Sequence, residues 1–280
     1  MSPWVTGLVL FSAVLHASWN ALLKGGSDRL HSVTVMAVAA SLVSAVWAAF
    51  LPAPLAESWS YIGLSVALHV AYNLLLVAAY RHGDLGVTYP VARGSSPLLV
   101  AAGAAILAGE RPDALALVGI ALVCGGILGL AREHRRGPRS RVIAPAVLTG
   151  VTIAAYTVVD GLGSRVSGDA GAYAAWLFLA TGPAMLPVWA WQRRVPGGLV
   201  RLDAGTLRSA AGGVVSLAAY AIVIWAASIS PMGPVSALRE SSVVVAAVLG
   251  WLFLGEPLKW WRLVACLVVA TGAACLGLRG

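Results

Sequence analysis

The chain has 280 residues, of which 59% are hydrophobic and 11% are charged, and its formal net charge is +8. A soluble protein covers its surface with charged groups, whereas a surface that faces lipid stays apolar. This composition therefore excludes an ordinary soluble domain. The basic residues lie in short breaks between apolar runs rather than on one face, which argues against a nucleic-acid-binding surface.

Ten apolar runs of about 20 residues are each long enough to cross the hydrocarbon core of a bilayer. In chain order they cover residues 3–23, 32–51, 58–80, 86–108, 114–131, 142–160, 171–191, 206–228, 233–254 and 259–278. We therefore predict an all-α, polytopic membrane protein with ten transmembrane helices. The basic stretch 132–141 separates a first unit, residues 1–131, from a second unit, residues 142–280.

Lysine and arginine are concentrated in the loops that follow the odd-numbered helices. The positive-inside rule places such loops in the cytoplasm. Both termini are then predicted to lie on the outer face of the plasma membrane.

The two units contain an internal repeat. Sliding the chain by 146 residues aligns identical residues without a gap, namely Arg93 with Arg239, Ser95 with Ser241, Ser96 with Ser242, Gly109 with Gly255 and Glu110 with Glu256. A shift of 148 also pairs Tyr72 with Tyr220. Because each unit has an odd number of helices, the second copy enters the membrane from the opposite side. The sequence thus predicts two inverted five-helix repeats, an architecture typical of alternating-access carriers.

Two arginines, Arg93 and Arg239, fall inside the predicted fourth and ninth helices. A charged side chain in mid-span costs roughly 2.5–3.5 kcal/mol on insertion scales, so it is rare without a use. The arginines either attract a carboxylate, phosphate or phosphonate of a substrate or form internal ion pairs, for which Glu240 is the adjacent acid. In the fourth helix Pro97 cannot donate to the Arg93 carbonyl, which predicts a break or kink with a free acceptor beside the guanidinium.

Polar residues recur every four positions on three predicted helices and form one-sided stripes. The stripes consist of Ser12, His16, Asn20 and Lys24 in helix one, Ser65, His69 and Asn73 in helix three, and Thr152, Tyr156 and Asp160 in helix six. They favour a shared polar cavity, with hydrogen bonds between helices as the alternative.

From these patterns we predict the residues of a substrate site. They are Arg93, Arg239, His16, Asn20, Trp19, His69, Asn73, Tyr72, Tyr156, Tyr220, Ser96 and Ser242. The candidates for loading and releasing a coupled proton are Glu240, His16, His69 and Asp160. Glu110 and Glu256 end their helices beside glycine, so we expect them to cap the next helix instead.

No motif in the chain supports an enzyme. The three cysteines lie inside apolar runs, and neither a metal-ligand spacing nor a hydrolase motif is found. We therefore predict neither catalysis nor a metal or other cofactor.

Several stretches resemble a known family. They are His16-Ala17-Ser18-Trp19-Asn20 with Lys24, Gly83-Asp84-Leu85 through Tyr89-Pro90-Val91-Ala92-Arg93, Leu107-Ala108-Gly109-Glu110-Arg111 and Gly255-Glu256-Pro257. With these stretches the chain resembles the EamA-like ten-helix members of the drug/metabolite transporter superfamily. The resemblance implies an inner-membrane carrier, often an exporter, for small metabolites such as amino acids or organic acids. A channel or facilitator is the second hypothesis and a structural membrane protein the third. The expected partners are lipid, a small-molecule substrate and protons, with a monomer or homodimer as the assembly and no nucleic acid.

Overall fold

The computed structural model describes residues 1–23, 28–82, 85–130, 139–192, 203–254 and 259–277. Within these segments all regular structure is helical. The helices are α1 (Pro3–Leu23), α2 (Arg29–Ala48), α3 (Trp59–His82), α4 (Leu85–Leu107), α5 (Ala114–Leu130), α6 (Arg139–Val166), α7 (Ala170–Gln192), α8 (Ala204–Ile229), α9 (Met232–Arg239), α10 (Ser242–Leu254) and α11 (Trp260–Gly277). A short 3-10 turn, Ala56–Ser58, precedes α3.

Eight spans in the described segments are long and apolar enough to cross a membrane. One of these spans consists of α9 and α10 together, and α5 is an apolar but shorter helix. Large apolar side chains also point away from the protein, as Leu42 and Leu267 show with 67% of their surface exposed. An all-helical, multi-pass fold is therefore confirmed.

Aspartates cap α2 and α8, and these two helices start a few residues before the predicted apolar runs. Asp28 accepts a hydrogen bond from the backbone N–H of His31 at 3.0 Å, and Asp203 accepts one from Thr206 at 2.7 Å. Such caps satisfy backbone donors that a helix leaves without a partner. The Thr206 N–H also lowers the pKa of the exposed Asp203 carboxyl below its ordinary value.

The ninth predicted span, 233–254, corresponds to the apolar span Met232–Leu252, but its helix is interrupted at Glu240 and Ser241, between α9 and α10. The carbonyl of Leu238 accepts from the Ser241 N–H at 3.1 Å and from the Ser241 hydroxyl at 2.7 Å. In a continuing α-helix this carbonyl would accept from the N–H of Ser242. The backbone bonds here join residues three apart rather than four, as those from Ser241 to Leu238 and from Val243 to Glu240 show, so the α-helical ladder is interrupted.

Helices from the first half pack mainly against helices from the second half. α1 contacts α8, α2 contacts α7 and α8, α3 contacts α6, α4 contacts α6 and α9, and α5 contacts α11. The central helices are thereby placed around a common interior.

A glycine allows α2 and α8 to approach closely. A Cβ atom added to Gly213 would overlap the carbonyl oxygen of Met36 and would stand 2.8 Å from the Met36 Cα. The adjacent Gly212 is different, because the nearest atom to its added Cβ would be the Met36 Cε at 3.8 Å. Of these two glycines, Gly213 is the one that the close approach of α2 and α8 requires.

Candidate functional site

A cavity of about 110 Å³ lies between helices of both halves. The predicted site residues that line it are His16, Trp19, His69, Tyr72, Asn73, Tyr156, Tyr220 and Arg239. The sequence did not single out the remaining lining residues, which are Val33, Met36, Ala37, Ala40, Leu76, Phe178, Thr181, Gly213 and Ser216. Ser216 precedes Tyr220 by one helical turn, so the spacing that revealed the other stripes could have revealed it as well.

Some predicted site residues are not in the lining of this cavity. Asn20 donates its side-chain N–H to the carbonyl of His16 at 2.8 Å. Ser96 donates its hydroxyl to the carbonyl of Arg93 at 3.2 Å. The expectation of a free Arg93 carbonyl is therefore wrong, and α4 is assigned as one helix through both of its prolines. Ser242 is buried outside the lining, and Lys24 lies outside the described residues.

Arg93, Arg239 and Glu240 form a buried group of three charges. One carboxylate oxygen of Glu240, Oε1, accepts from Nη1 of Arg93 at 3.1 Å and from Nη2 of Arg239 at 3.0 Å. None of the three side chains has more than 5% of its surface exposed. Arg93 and Arg239, which the shift of 146 residues aligns, thus contact one acid, Glu240, and the residue that the same shift aligns with Glu240 is Gly94. Two positive charges and one negative charge leave this group with one net positive charge.

Arg239 also reaches the cavity, whereas Arg93 is not in its lining. The guanidinium carbon of Arg239 lies 5.9 Å from the centre of the Tyr220 ring, within the range of a cation–π contact. Its Nε atom is buried and has no hydrogen-bond partner among the described residues. Arg239 thus combines an ion pair on one side with an unused donor.

Aromatic rings form much of the cavity wall. His69 lies 4.3 Å from Tyr156 and 5.5 Å from Tyr220, measured between ring centres. Tyr72 lies 5.6 Å from Tyr156, and Phe178 lies 6.2 Å from Tyr220. This continuous wall presents ring faces and edges to a ligand, together with a small number of polar atoms.

The Nδ1 atoms of the two cavity histidines are hydrogen-bonded. Nδ1 of His16 accepts from the indole N–H of Trp19 at 3.3 Å. Nδ1 of His69 lies 2.9 Å from the carbonyl oxygen of Ser65 and 3.1 Å from its hydroxyl. Each ring is therefore held by its own helix, with Nε2 as the remaining nitrogen.

Asp160 is buried behind the cavity wall with 1% of its surface exposed. It accepts hydrogen bonds from the hydroxyl of Tyr173 at 3.0 Å and from the hydroxyl of Tyr220 at 2.6 Å. Tyr220 lines the cavity and so connects this carboxyl to it. Tyr173 was not predicted as a site residue, because nothing in its apolar sequence context distinguishes it.

Glu110 joins the two halves at the end of α4. Its Oε1 accepts from Nη2 of Arg165 at 2.6 Å, and its Oε2 accepts from the backbone N–H of Met232 at 2.9 Å. Glu110 therefore caps α9, whereas Asp113 caps the next helix, α5, through the N–H of Ala116. The prediction of a cap on the next helix is wrong for Glu110, and Glu256 lies outside the described residues.

Comparisons with known proteins agree with this architecture. Residues 141–278 match the model of the EamA-like transporter family. A crystal structure of a protein with 16% sequence identity superimposes with a TM-score of 0.75, covering 98% of this chain and 96% of that chain, so the two share a fold. No curated protein matches the chain. With its apolar helices and the family match over its second half, the chain is a multi-pass membrane protein that belongs to the EamA-like transporter family of the drug/metabolite transporter superfamily.

Proposed function

We propose that the protein is an alternating-access carrier for a small anionic or zwitterionic metabolite, such as an organic acid or an amino acid. The observation that supports this most directly is Arg239, a buried cation on the wall of a cavity enclosed by helices of both halves. Ionisable groups within a bilayer usually mark substrate or ion pathways. The cavity volume, about 110 Å³, suits a small metabolite, since the pockets that hold drug-sized ligands have volumes of roughly 300–1,000 Å³.

An inverted repeat of units 1–131 and 142–280 would permit the exchange of conformations that such a carrier needs. The packing of the helices supports it. If α1 corresponds to α6 and α3 to α8, the contact of α1 with α8 corresponds to that of α6 with α3. The contact of α2 with α7 and the contact of α5 with α11 then each join two corresponding helices, so exchanging the two units leaves these contacts unchanged.

The direction of transport that we propose is export across the inner membrane. With the odd-numbered loops in the cytoplasm, the cavity residues of α1, α2 and α3 lie toward the cytoplasmic ends of these helices. The contact between Glu110 and Arg165 then lies at the outer end. An exporter would load its substrate from the cytoplasm in this form.

The first test is a thermal-shift screen of the purified chain against amino acids, organic acids, phosphorylated metabolites and phosphonates, because a ligand of the folded state raises its apparent stability. The stabilising compound is then labelled and its counterflow is measured in proteoliposomes. We expect saturable uptake that is accelerated by unlabelled compound inside the vesicle. Uptake without saturation or counterflow would indicate a channel, and no uptake of any compound would contradict transport.

We further propose that Asp160 takes up a coupled proton. Its partners in the described structure are the uncharged hydroxyls of Tyr173 and Tyr220, and His69 and Ser65 face it from α3. The charge of Glu240, in contrast, is balanced by two guanidinium groups. A carboxyl without a bound cation is better suited to gain and lose a proton during a cycle.

The variant Asp160→Asn should lose transport driven by a pH gradient while counterflow at equal pH persists, because the amide keeps the acceptor oxygen but binds no proton. Both activities are measured in the same proteoliposomes. Tyr173→Phe is the matched control, since it removes one hydrogen bond and leaves the carboxyl. Full stimulation of the Asp160→Asn variant by the gradient would show that the proton binds elsewhere.

A further inference from the structure

The hydrogen bond between Trp19 and His16 determines which nitrogen of His16 carries the proton. The indole N–H of Trp19 can only donate, so Nδ1 of His16 is an acceptor. In the neutral ring the proton is then on Nε2, which becomes a donor. Nε2 of His16 is buried and has no hydrogen-bond partner among the described residues.

Arg239 supplies a second unused donor at the same cavity. Its Nη2 is bound to Glu240, while its Nε, which always carries a hydrogen, lacks an acceptor within the described segments. Only 2% of the Arg239 surface is exposed, and the residue lines the cavity together with His16. Buried donors are nearly always paired in proteins, so unused donors on two residues that line one cavity favour a ligand with acceptor atoms.

We assign the opposite tautomer to His69, because its Nδ1 is closer to the carbonyl oxygen of Ser65, at 2.9 Å, than to the Ser65 hydroxyl, at 3.1 Å. A carbonyl can only accept, so in this tautomer Nδ1 carries the proton and Nε2 is an acceptor. The cavity is therefore polarised, with donors at His16 and Arg239 and an acceptor at His69.

We infer that His16 Nε2 and Arg239 Nε bind the two oxygens of a substrate carboxylate, and that His69 accepts a hydrogen bond from a hydroxyl or amino group of the same molecule. This inference rests on the proposed transport function and specifies its substrate class. With Asp160 protonated, Arg93, Arg239 and Glu240 leave one net positive charge, which matches a monoanion. A phosphate or phosphonate dianion would keep one unbalanced negative charge, so we expect the site to prefer carboxylates.

Four small probes separate these features in a binding measurement on the purified full-length chain. Lactate has the carboxylate and a hydroxyl donor, propionate lacks the hydroxyl, lactamide lacks the charge, and ethylphosphonate replaces the carboxylate. From the concentration dependence of the thermal shift we expect lactate to bind most tightly. Binding of lactamide should be weaker by about tenfold or more, since hydrogen bonds to charged groups are the stronger ones. Ethylphosphonate should also bind more weakly, because one charge of its dianion would be unbalanced. Equal binding of lactate and lactamide would overturn the inference.

Two substitutions at His16 test the donor position. The amide nitrogen of His16→Gln can occupy the place of Nε2, whereas that of His16→Asn reaches only the place of Nδ1. We expect lactate affinity to stay within about threefold in the first variant and to fall about tenfold in the second. Arg239→Lys keeps the charge beside Glu240 but loses the Nε donor, and it should also weaken lactate binding about tenfold. Equal affinities of the two His16 variants, or unchanged affinity of Arg239→Lys, would contradict the inference.

Two further measurements keep the inference separate from the transport proposal and from folding defects. Trp19→Phe keeps a ring but removes the N–H that determines the tautomer of His16, so lactate binding should weaken severalfold. This variant provides a test even if the His16 variants fail to fold. Unchanged lactate binding in Trp19→Phe would count against the assigned tautomer. If the wild type shows counterflow of some solute but does not distinguish lactate from lactamide, the carboxylate site is wrong and transport stands. If no solute shows counterflow, the transport proposal itself fails.

Discussion

Replacing Glu240 by glutamine should lower the free energy of unfolding by about 3–5 kcal/mol, the usual cost of removing one partner from a buried ion pair. The side chain is fully buried, and one of its oxygens lies 3.1 Å from Arg93 and 3.0 Å from Arg239. Glutamine has nearly the same shape, so the loss reflects two buried guanidinium groups left without their acid. The measurement is the unfolding midpoint of the detergent-purified variant, or its yield if it does not accumulate.

The matched control for this prediction is Arg93→Met, which leaves Arg239 and Glu240 as a neutral pair. We expect a smaller loss of stability than for Glu240→Gln. The double variant should be more stable than the sum of the two single losses implies, because removing Arg93 relieves the repulsion that Glu240→Gln creates. Wild-type stability of Glu240→Gln would mean that the acid does not balance the arginines.

Gly213→Ala should lower stability by about 3 kcal/mol, at the upper end of the usual range for overpacking. The added methyl group would overlap the carbonyl oxygen of Met36, and a backbone atom cannot move aside as a side chain can. Either α2 and α8 separate or the protein fails to accumulate. The thermal midpoint in detergent and the yield of folded protein report the two outcomes.

Gly212→Ala is the control for this effect, since it makes the same chemical change one residue earlier on the same helix. The nearest atom to its added Cβ would be 3.8 Å away, at the end of the flexible Met36 side chain. We expect a change within about 0.5 kcal/mol of the wild type. Similar losses in both variants would show that the closeness of α2 and α8 is not the cause.

The positions of the helices could be predicted from the sequence because apolar length and flanking polar residues determine them. The predicted first run, 3–23, coincides with α1, and the fifth run, 114–131, ends one residue beyond α5. The break between α9 and α10 could not be predicted in this way. It consists of backbone bonds between residues three apart, as from Ser241 to Leu238, and hydropathy does not represent them.

Part of the cavity lining could also be predicted, because polar residues at four-residue spacing are conspicuous in an apolar helix. His16, His69 and Tyr156 were found by this spacing and line one cavity. The wall from α2, including Val33 and Met36, is apolar like any lipid-facing surface, so its role becomes visible only in three dimensions.

Contacts between distant residues were the hardest to predict. The internal repeat aligned Arg93 with Arg239, but it could not show that both bind Glu240. The bond from Tyr173 to Asp160 joins the polar stripe of α6 to α7, a helix that looks ordinary in the sequence. Glu110 was expected to act locally, yet its partners are Arg165 and Met232 in the other half of the chain. Sequence spacing describes neighbours on one helix and does not determine which helices meet.

The contact of Glu110 with Arg165 has an energetic consequence for a carrier. It lies where the arginine side chain is 28% exposed, so water can replace each partner as the two halves separate. An ion pair near the surface contributes about 1 kcal/mol, less than the loss expected when Glu240 is replaced by glutamine. In the proposed carrier, this contact would hold one end closed only weakly. A ligand that binds the other conformation about tenfold more tightly would then be enough to offset it.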